Sequence, residues 1–367
     1  MKRKRMTLFF ELLQVALGTR EELSRVPSAA EWGRLFEEAE RQAVAGVVFP
    51  VIEELSRCGQ KPSLEILYEW IGLAEQLRQQ NKVVNQTAVK LSASLKNDGF
   101  ECCILKGQGN ALLYPNPLGR QSGDIDVWVN PKCHVDSVIR YAKGKEPDGI
   151  AMYHHVDYGT INGVEVEMHY RPSFMSNPLH NRRLQRWFVT HAGEQFQHEV
   201  ELPEGAGRIC VPTLEFNVVF QLSHVYNHLL HEGIGLRQIV DYFFLLRREG
   251  ERREGNEKTL RYLGLEKIAG AMMWVMHEVL GLEEKYLIAP KDEKRGKALL
   301  AEIMKGGNFG FYDAENQRAN DRLKKNIQRL RRDLRMMKYY PSECLWEPVF
   351  RIYHFFWRMK YNCKKQI

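Results

Sequence analysis

The stretch "GRQSGDIDVWVN", residues 119–130, places Asp124 and Asp126 at the start of a run that is otherwise typical of a buried strand. A charged carboxylate within an apolar strand is costly unless a cation or a hydrogen-bond donor compensates its charge. Residues i and i+2 of a strand point to one face, so the two aspartates project together while Ile125 and Val127 face the other side. This arrangement leaves two hypotheses, a metal site and a structural network of ion pairs.

The spacing of the aspartates favours a magnesium site. Two carboxylates so close together repel each other unless a cation lies between them. Mg²⁺ accepts a pair of carboxylates together with substrate phosphates and retained waters. Downstream, "VEVEMHY" (164–170) alternates with period two, which places Glu165, Glu167 and His169 on one face. A neighbouring strand could therefore present a third carboxylate to the same ion. Replacing either aspartate by asparagine is then expected to abolish activity and to leave folding intact or improved.

A glycine-containing turn precedes the aspartates. "LKGQGN" (105–110) follows the short apolar segment "ECCI" and leads into the predicted helix "NALLY". The backbone amides of such a strand-to-helix turn, and the N-terminus of the helix, can receive a phosphate group. Lys106 and Arg120 add positive charge on either side, so this part of the chain is predicted to bind phosphate.

The order of predicted elements indicates an α+β protein. Residues 1–98 are predicted to be helical, including one helix near 29–45 and a long helix over 63–97. Residues 99–212 carry short strand patterns, and helical periodicity returns over 213–367. We therefore expect a small mixed-sheet core between an N-terminal and a C-terminal helical region, with these three ranges as the domain limits. Strands are predicted at "ECCILK" (101–106), "IDVWV" (125–129), "AMYHHVDYG" (151–159), "VEVEMHY" (164–170) and "RICVP" (208–212).

Composition excludes several classes of protein. A chain of 367 residues with 44% hydrophobic residues is long enough for a sizeable core, which excludes wholesale disorder. The seven cysteines are scattered and form no CxxC pair, so neither a disulfide framework nor a cysteine zinc site is predicted. No segment approaches the roughly 20 apolar residues of a membrane-spanning helix. Because Glu11 and Gln14 interrupt the apolar N-terminal stretch, we interpret it as an amphipathic helix and expect a cytoplasmic protein.

The net charge of +7 is concentrated at the C-terminus. From Arg318 onward there are fourteen Lys or Arg against four acids, a balance of +10. This basic region could meet a polyanion or a membrane surface. The alternative is a solvated helix face, which is predicted because one apolar stripe steps by 4, 3, 4 and 3 and is expected to pack inward. The stripe consists of Leu323, Ile327, Leu330, Leu334 and Met337. For the aromatic residues of "RIYHFFWRMKYNCKK" (351–365), core packing is favoured over stacking on nucleic acid.

Two further groups of polar residues occupy predicted helices. His224 and His228 lie four residues apart and, with His231, suggest a zinc site, but no HExxH arrangement accompanies them, so ordinary packing is favoured. Arg237 and Asp241 also lie four residues apart, which is explained by a helix ion pair. A position in the lining of a cleft is the alternative for this pair.

The order of these motifs is similar to that of the nucleotidyltransferase superfamily of polymerase beta type, in which a glycine turn and helix precede a DxD strand and a later strand supplies a third acid. The resemblance is closer to the bacterial family of uncharacterised nucleotidyltransferases and extends over about residues 40–260. It rests on the segments "ILKGQGNALLYPNPLGRQSGDIDVWV", "VEVEMHYRP" and "HLLHEGIGLRQIVDYFFLL".

The resemblance implies a reaction as well as a fold. It implies transfer of NMP from an NTP to an acceptor hydroxyl, with two Mg²⁺ ions stabilising the attacking and leaving oxygens. Asp124, Asp126 and Glu167 are then the catalytic carboxylates and metal ligands. The acceptor, a small molecule, a peptide or protein, or RNA, is not identified. The alternative is a catalytically inactive protein of this fold that binds a nucleotide or RNA. The implied nucleotide-binding residues are Lys106, Gly107, Gln108 and Arg120.

Overall fold

A small mixed sheet forms the centre of the computed structural model, which describes residues 2–130, 132–249, 256–312 and 322–362. Its four strands have the order β1-β2-β4-β3. The strand β2 pairs antiparallel with β1 and parallel with β4, and β3 pairs antiparallel with β4. The strands are β1 (Cys102–Leu105), β2 (Ile125–Val129), β3 (His155–Ile161) and β4 (Val164–His169).

Helices precede and follow the strands of this sheet along the chain, so the predicted α+β class is confirmed. A separate antiparallel hairpin, β5 (Glu199–Leu202) and β6 (Gly207–Cys210), follows the sheet in the chain. The helices are α1 (Lys2–Leu17), α2 (Ala29–Arg41), α3 (Ala45–Arg57), α4 (Leu64–Asn97), α5 (Gly107–Ala111), α6 (Val135–Lys145), α7 (Pro178–Thr190), α8 (Ala192–Gln195), α9 (Leu214–His231), α10 (Leu236–Glu249), α11 (Asn256–Leu263), α12 (Glu266–Glu278), α13 (Glu293–Gly306), α14 (Arg322–Met337) and α15 (Pro341–Asn362).

The two faces of β2 meet different parts of the core. Ile125 and Val127 belong to the apolar cluster that also contains buried residues of α4 and α6. Trp128 faces the opposite way and packs against Phe216 of α9, with ring centroids 5.4 Å apart. Because side chains alternate along a strand, Asp126 shares the face of Trp128. The aspartate is thereby directed toward the C-terminal helices.

The long helix was predicted correctly, whereas the helix predicted over 29–45 was wrong in extent. The helix α4 covers Leu64–Asn97, and Gly99 follows it with φ +88°, a conformation that favours glycine. Between α2 and α3 the chain turns at Ala43, which has φ +57°. This single left-handed residue divides the predicted segment into two helices, because an α-helix cannot continue through positive φ.

The predicted inward orientation of the C-terminal apolar stripe is wrong for three of its residues, whereas Met337 is partly buried against the core. Ile327, Leu330 and Leu334 of α14 are 50%, 51% and 63% exposed, whereas Arg332 and Asp333 of the same helix are buried. The side chain of Leu323 lies outside the described residues. Polar contacts hold the inward face: Arg332 donates to the carbonyl of Glu232 at 3.1 Å, and Arg351 of α15 lies 3.3 Å from Asp333. The inner face of the helix therefore includes buried polar residues beside Met336, and its outer face exposes apolar ones.

The aromatic residues of α15 are divided between packing and exposure. Phe350 stacks on Phe174 with ring centroids 4.9 Å apart, and Trp357 lies beside Tyr170. Phe356 is 63% exposed, so core packing was a wrong prediction for this residue. Among the described helices, none has the length and apolar character needed to cross a bilayer.

Candidate active site

Asp126 and Glu167 lie opposite each other on the adjacent parallel strands β2 and β4. Asp126 is buried, with 2% of its surface exposed, whereas the Glu167 side chain is 30% exposed. Ligand atoms of these two residues and of His169 all lie within 4.8 Å of one another. Asp124 precedes β2, is open to solvent, and belongs to no such three-residue group within the described residues. The structure thus brings two of the three predicted carboxylates close together.

Two basic side chains surround Asp126. The Nζ atom of Lys106 lies 2.6 Å from its Oδ2 atom, and Nε2 of His169 lies 2.7 Å from its Oδ1 atom. Burial opposes ionisation of Asp126, yet these two neighbours hold its pKa well below the usual range. Burial also opposes the charge of His169, but Asp126 and Glu167 raise the pKa of the imidazole to about 9. At neutral pH this cluster is an aspartate held between two cations.

Asp124 has the opposite electrostatic character. The negative charge of Asp126 raises the pKa of Asp124 to about 6. The ammonium of Lys106 opposes this shift without cancelling it. The negative charge of Asp124 is therefore less well compensated than that of Asp126. A bound cation would supply this compensation and stabilise the ionised form of Asp124.

The donor set fits a divalent metal ion. The Oδ1 atom of Asp126 is buried and receives no well-directed hydrogen bond from the described residues, although His169 lies within 2.7 Å. The carboxylate oxygens of Asp126 and Glu167, and that of Asp124 in the same cleft as Asp126, are the ligand type that Mg²⁺ prefers. In the metal-free protein, the ammonium of Lys106 supplies the positive charge at this position.

Lys106 starts the predicted phosphate-binding turn in a strained conformation. Its φ of 53° and ψ of −119° are unusual for a residue with a side chain. Such strain persists where the surroundings impose it, and functional sites are frequent locations. A Cβ atom built on the next residue, Gly107, would meet no atom within 4 Å, so its backbone is open to a ligand. Gln108 is instead buried, with 2% of its surface exposed.

Arg120 lies in the wall of the cleft but is bound to Asp241 of α10. Its Nε and Nη2 atoms donate to the two carboxylate oxygens of Asp241, each at 2.7 Å. Tyr114 and Asn110 also donate to Asp241, at 2.5 and 3.3 Å. Asp241 thus accepts hydrogen bonds from three side chains. In the described structure Asp241 forms its ion pair with Arg120. The pair with Arg237 that their spacing predicted does not form.

Arg237 is consequently a buried cation that faces the cleft. It is 7% exposed, donates through Nη1 to the carbonyl of Gln121 at 2.9 Å, and lies 5.1 Å from the ring centre of Phe309. Its buried Nε atom has no hydrogen-bond partner in the described structure. Burial and the neighbouring charge of Arg120 lower its pKa to about 10. This guanidinium is under-compensated, which favours an anionic ligand.

A cleft lies between the sheet and the C-terminal helices. Lys106, Gly107, Asp124, Asp126 and Arg237 all contribute to its lining. The lining therefore combines carboxylates that can bind a metal ion with cations that can bind phosphate oxygens.

The histidines of α9 do not form the suspected zinc site. His224 lies 3.3 Å from Lys106, His228 contacts Glu232, and His231 contacts the carbonyl of Asn227. None of the potential metal-binding groups among the described residues contains them.

A different group of histidines lies beside the carboxylates. His155 of β3 is 3.1 Å from Glu167, and His154 is 3.1 Å from His155. Strand alternation predicted that His169 shares a face with Glu167. The position of His155 was not predictable, because it depends on the antiparallel pairing of β3 with β4.

Comparison with known proteins identifies a family. Neither the curated proteins nor the solved structures gave a significant match. The model of one family, described as "Uncharacterised nucleotidyltransferase", matches residues 28–281, which is more than half of the chain and includes every residue of the cleft named above except Phe309. The chain therefore belongs to this family of nucleotidyltransferases.

Proposed function

We propose that this protein transfers a nucleoside monophosphate from an NTP to an acceptor hydroxyl in a Mg²⁺-dependent reaction of the polymerase beta type. The observation that carries the proposal is the pairing of Asp126 with Glu167 across parallel strands, together with a cleft that is lined by Asp126, Lys106 and Arg237. The resemblance supports the reaction class, and the geometry supports the roles that we propose for the residues.

Asp124, Asp126 and Glu167 would hold the metal. When bound, Mg²⁺ neutralises charge on the triphosphate and on the oxygens that attack and leave. Lys106, which contacts Asp126, is placed to move to a phosphate oxygen when a divalent cation replaces its charge. The backbone of Gly107 allows close approach of the polyphosphate.

Arg237 would bind the triphosphate directly. Its Nε proton has no partner in the described structure, and a phosphate oxygen would provide one. The role of Arg120 differs from the one expected from sequence. Because its Nε and Nη2 atoms donate to Asp241 and its Nη1 atom donates to the carbonyl of Gln121, we propose that Arg120 fixes the position of the loop that leads to Asp124.

The proposed transfer is a single displacement at the α-phosphorus of the NTP. The acceptor oxygen forms a bond to the α-phosphorus, the bond from that phosphorus to the bridging oxygen breaks, and pyrophosphate leaves. The proton of the acceptor hydroxyl passes to Glu167, the more exposed carboxylate of the paired strands.

The proposal is tested by incubating the protein with each of the four NTPs and Mg²⁺ or Mn²⁺. Pyrophosphate release and the intact mass of the protein are measured, because self-labelling reports transfer without knowledge of the acceptor. Candidate acceptors from each class are then added. We expect Glu167→Gln to abolish turnover and Glu165→Gln, an exposed change on the same strand, to preserve it. Equal activity of both variants would contradict the assignment.

One observation favours the inactive alternative. Lys106 and His169 already neutralise Asp126 without a metal, as a nucleotide-binding protein without catalysis would allow. Calorimetric binding of an NTP with no pyrophosphate release under any metal, and with every class of candidate acceptor present, would support this alternative.

A further inference from the structure

The C-terminal hairpin, formed by α14 and α15, carries an apolar stripe that faces away from the protein. On α15 the exposed positions are spaced by 4, 3, 4 and 3 residues, which places them on one face of a helix. Their exposed fractions run from 46% to 63%. The opposite face contains the buried residues Cys344 and Glu347. The stripe consists of Leu345, Val349, Ile352, Phe356 and Met359.

Both helices of the hairpin expose large hydrophobic side chains. Of the twenty-two large hydrophobic side chains that are exposed in the described structure, eleven lie on the hairpin, although it contains a small fraction of the chain. The helix α14 contributes Ile327, Leu330 and Leu334. Single exposed hydrophobic residues are ordinary, but a concentration of this kind marks an interaction surface.

The charges on the hairpin have one sign. Between residues 327 and 362, all three acids, Asp333, Glu343 and Glu347, are buried. The exposed charged side chains of this range are Arg329, Arg331, Lys338, Arg358 and Lys360. The surface of the hairpin is therefore apolar with a purely cationic border.

We propose that the C-terminal hairpin docks on the surface of a membrane containing anionic phospholipids. Helices that lie in the membrane interface combine an apolar face with Lys and Arg, and they bind through apolar burial and attraction to anionic headgroups. Trp346 and Tyr353 are 41% and 53% exposed on α15, and such residues favour the level of the headgroups. This inference does not depend on the proposed reaction.

Charge distinguishes this partner from the two principal others. A second copy of the chain would bring two cationic borders together, which is unfavourable. The phosphates of RNA would neutralise the cations, but RNA would leave most of the aliphatic stripe exposed to water. An anionic bilayer satisfies both features together.

The test is co-sedimentation of the full chain with vesicles, without nucleotide. Vesicles of phosphatidylcholine alone are compared with vesicles of phosphatidylcholine and phosphatidylglycerol, at low and at high NaCl. We expect binding to the mixed vesicles at low salt, weak binding to phosphatidylcholine, and weakening by salt. Failure to sediment with either vesicle would overturn the proposal.

Variants separate the apolar contribution from the charges. Ile352→Asp and Phe356→Asp change side chains that are 62% and 63% exposed, so folding is expected to persist, and each should weaken vesicle binding at least about tenfold. Tyr68→Asp, at a 66% exposed position of α4, is the matched control and should bind normally. Circular dichroism checks the fold of each variant.

The double variant Arg358→Ala, Lys360→Ala keeps the apolar stripe and should weaken binding about fivefold for each cation removed. It also provides the decisive measurement if an aspartate variant does not fold. Two results would show that the surface binds a different partner and would overturn the proposal. One is a dimer detected by light scattering that Phe356→Asp dissociates, and the other is RNA binding that this double variant abolishes while vesicles remain unbound.

Discussion

Arg120 and Asp241 form a buried ion pair with two parallel contacts of 2.7 Å, although they lie far apart in the chain. The pair joins the loop before β2 to α10, and therefore one wall of the cleft to the other. Both side chains are about 5% exposed, so neither can be rescued by water if its partner is removed.

Asp241→Asn is expected to lower the free energy of unfolding by about 3–5 kcal/mol, because it leaves the buried charge of Arg120 uncompensated. Urea denaturation monitored by circular dichroism measures the change. The double variant Arg120→Gln, Asp241→Asn should recover part of the loss. Additive effects of the two substitutions would show that the pair is not coupled.

Asp124→Asn and Asp126→Asn should differ in their effect on the stability of the metal-free protein, in contrast to the equal effect expected from sequence. Asp126 compensates Lys106 and His169, so its replacement should destabilise the fold. The pKa of Asp124 is raised to about 6 by Asp126, so its neutralisation should leave stability equal or higher at pH 8. Unfolding in EDTA compares the two variants, and equal destabilisation would contradict this assignment.

The stability of the metal-free protein should fall between about pH 6.5 and 9. The folded-state pKa of His169 is raised to about 9, above its unfolded value, so its contribution is complete below the unfolded pKa and is lost as pH rises through 9. The shift corresponds to at most about 3 kcal/mol. Urea titrations in EDTA at the two pH values should show this loss in the wild type and a smaller one in His169→Gln.

Arg237→Gln should weaken binding of NTP with Mn²⁺ by about tenfold to a hundredfold, since one or two charge-assisted hydrogen bonds are lost. Stability should change little, because the buried guanidinium lacks a direct carboxylate partner in the described structure. Calorimetry measures the affinity, with Arg261→Gln, a change at a side chain that is 74% exposed, as the control. Unchanged affinity would remove Arg237 from the site.

Gly46→Ala should destabilise the protein by about 1–3 kcal/mol through overpacking. A Cβ atom at this position of α3 would lie 2.2 Å from the carbonyl oxygen of Gly119, which directly precedes Arg120. Because backbone must move to relieve the contact, we also expect weaker nucleotide binding. Gly72→Ala, on α4 with no atom within 4 Å of the added carbon, is the control for both measurements.

The sequence alone determined the features that depend on neighbouring residues. Strand alternation predicted that Glu167 and His169 share one face, and helical periodicity predicted α4 nearly to the residue. Both periodicities are local, because side-chain direction repeats every two residues in a strand and about every 3.6 in a helix. The same periodicity identified the apolar stripe on α14.

Only the tertiary structure decided which of these features meet. Asp126 faces Glu167 because β2 and β4 are parallel neighbours although β3 lies between them in the chain. Likewise, Asp241 binds Arg120 from a distant loop rather than Arg237 on its own helix. The stripe on α14 faces outward because Arg332 and Asp333 make the inward contacts. Periodicity defines the faces of an element, but long-range packing selects which face is buried, and that selection depends on contacts between residues far apart in the chain.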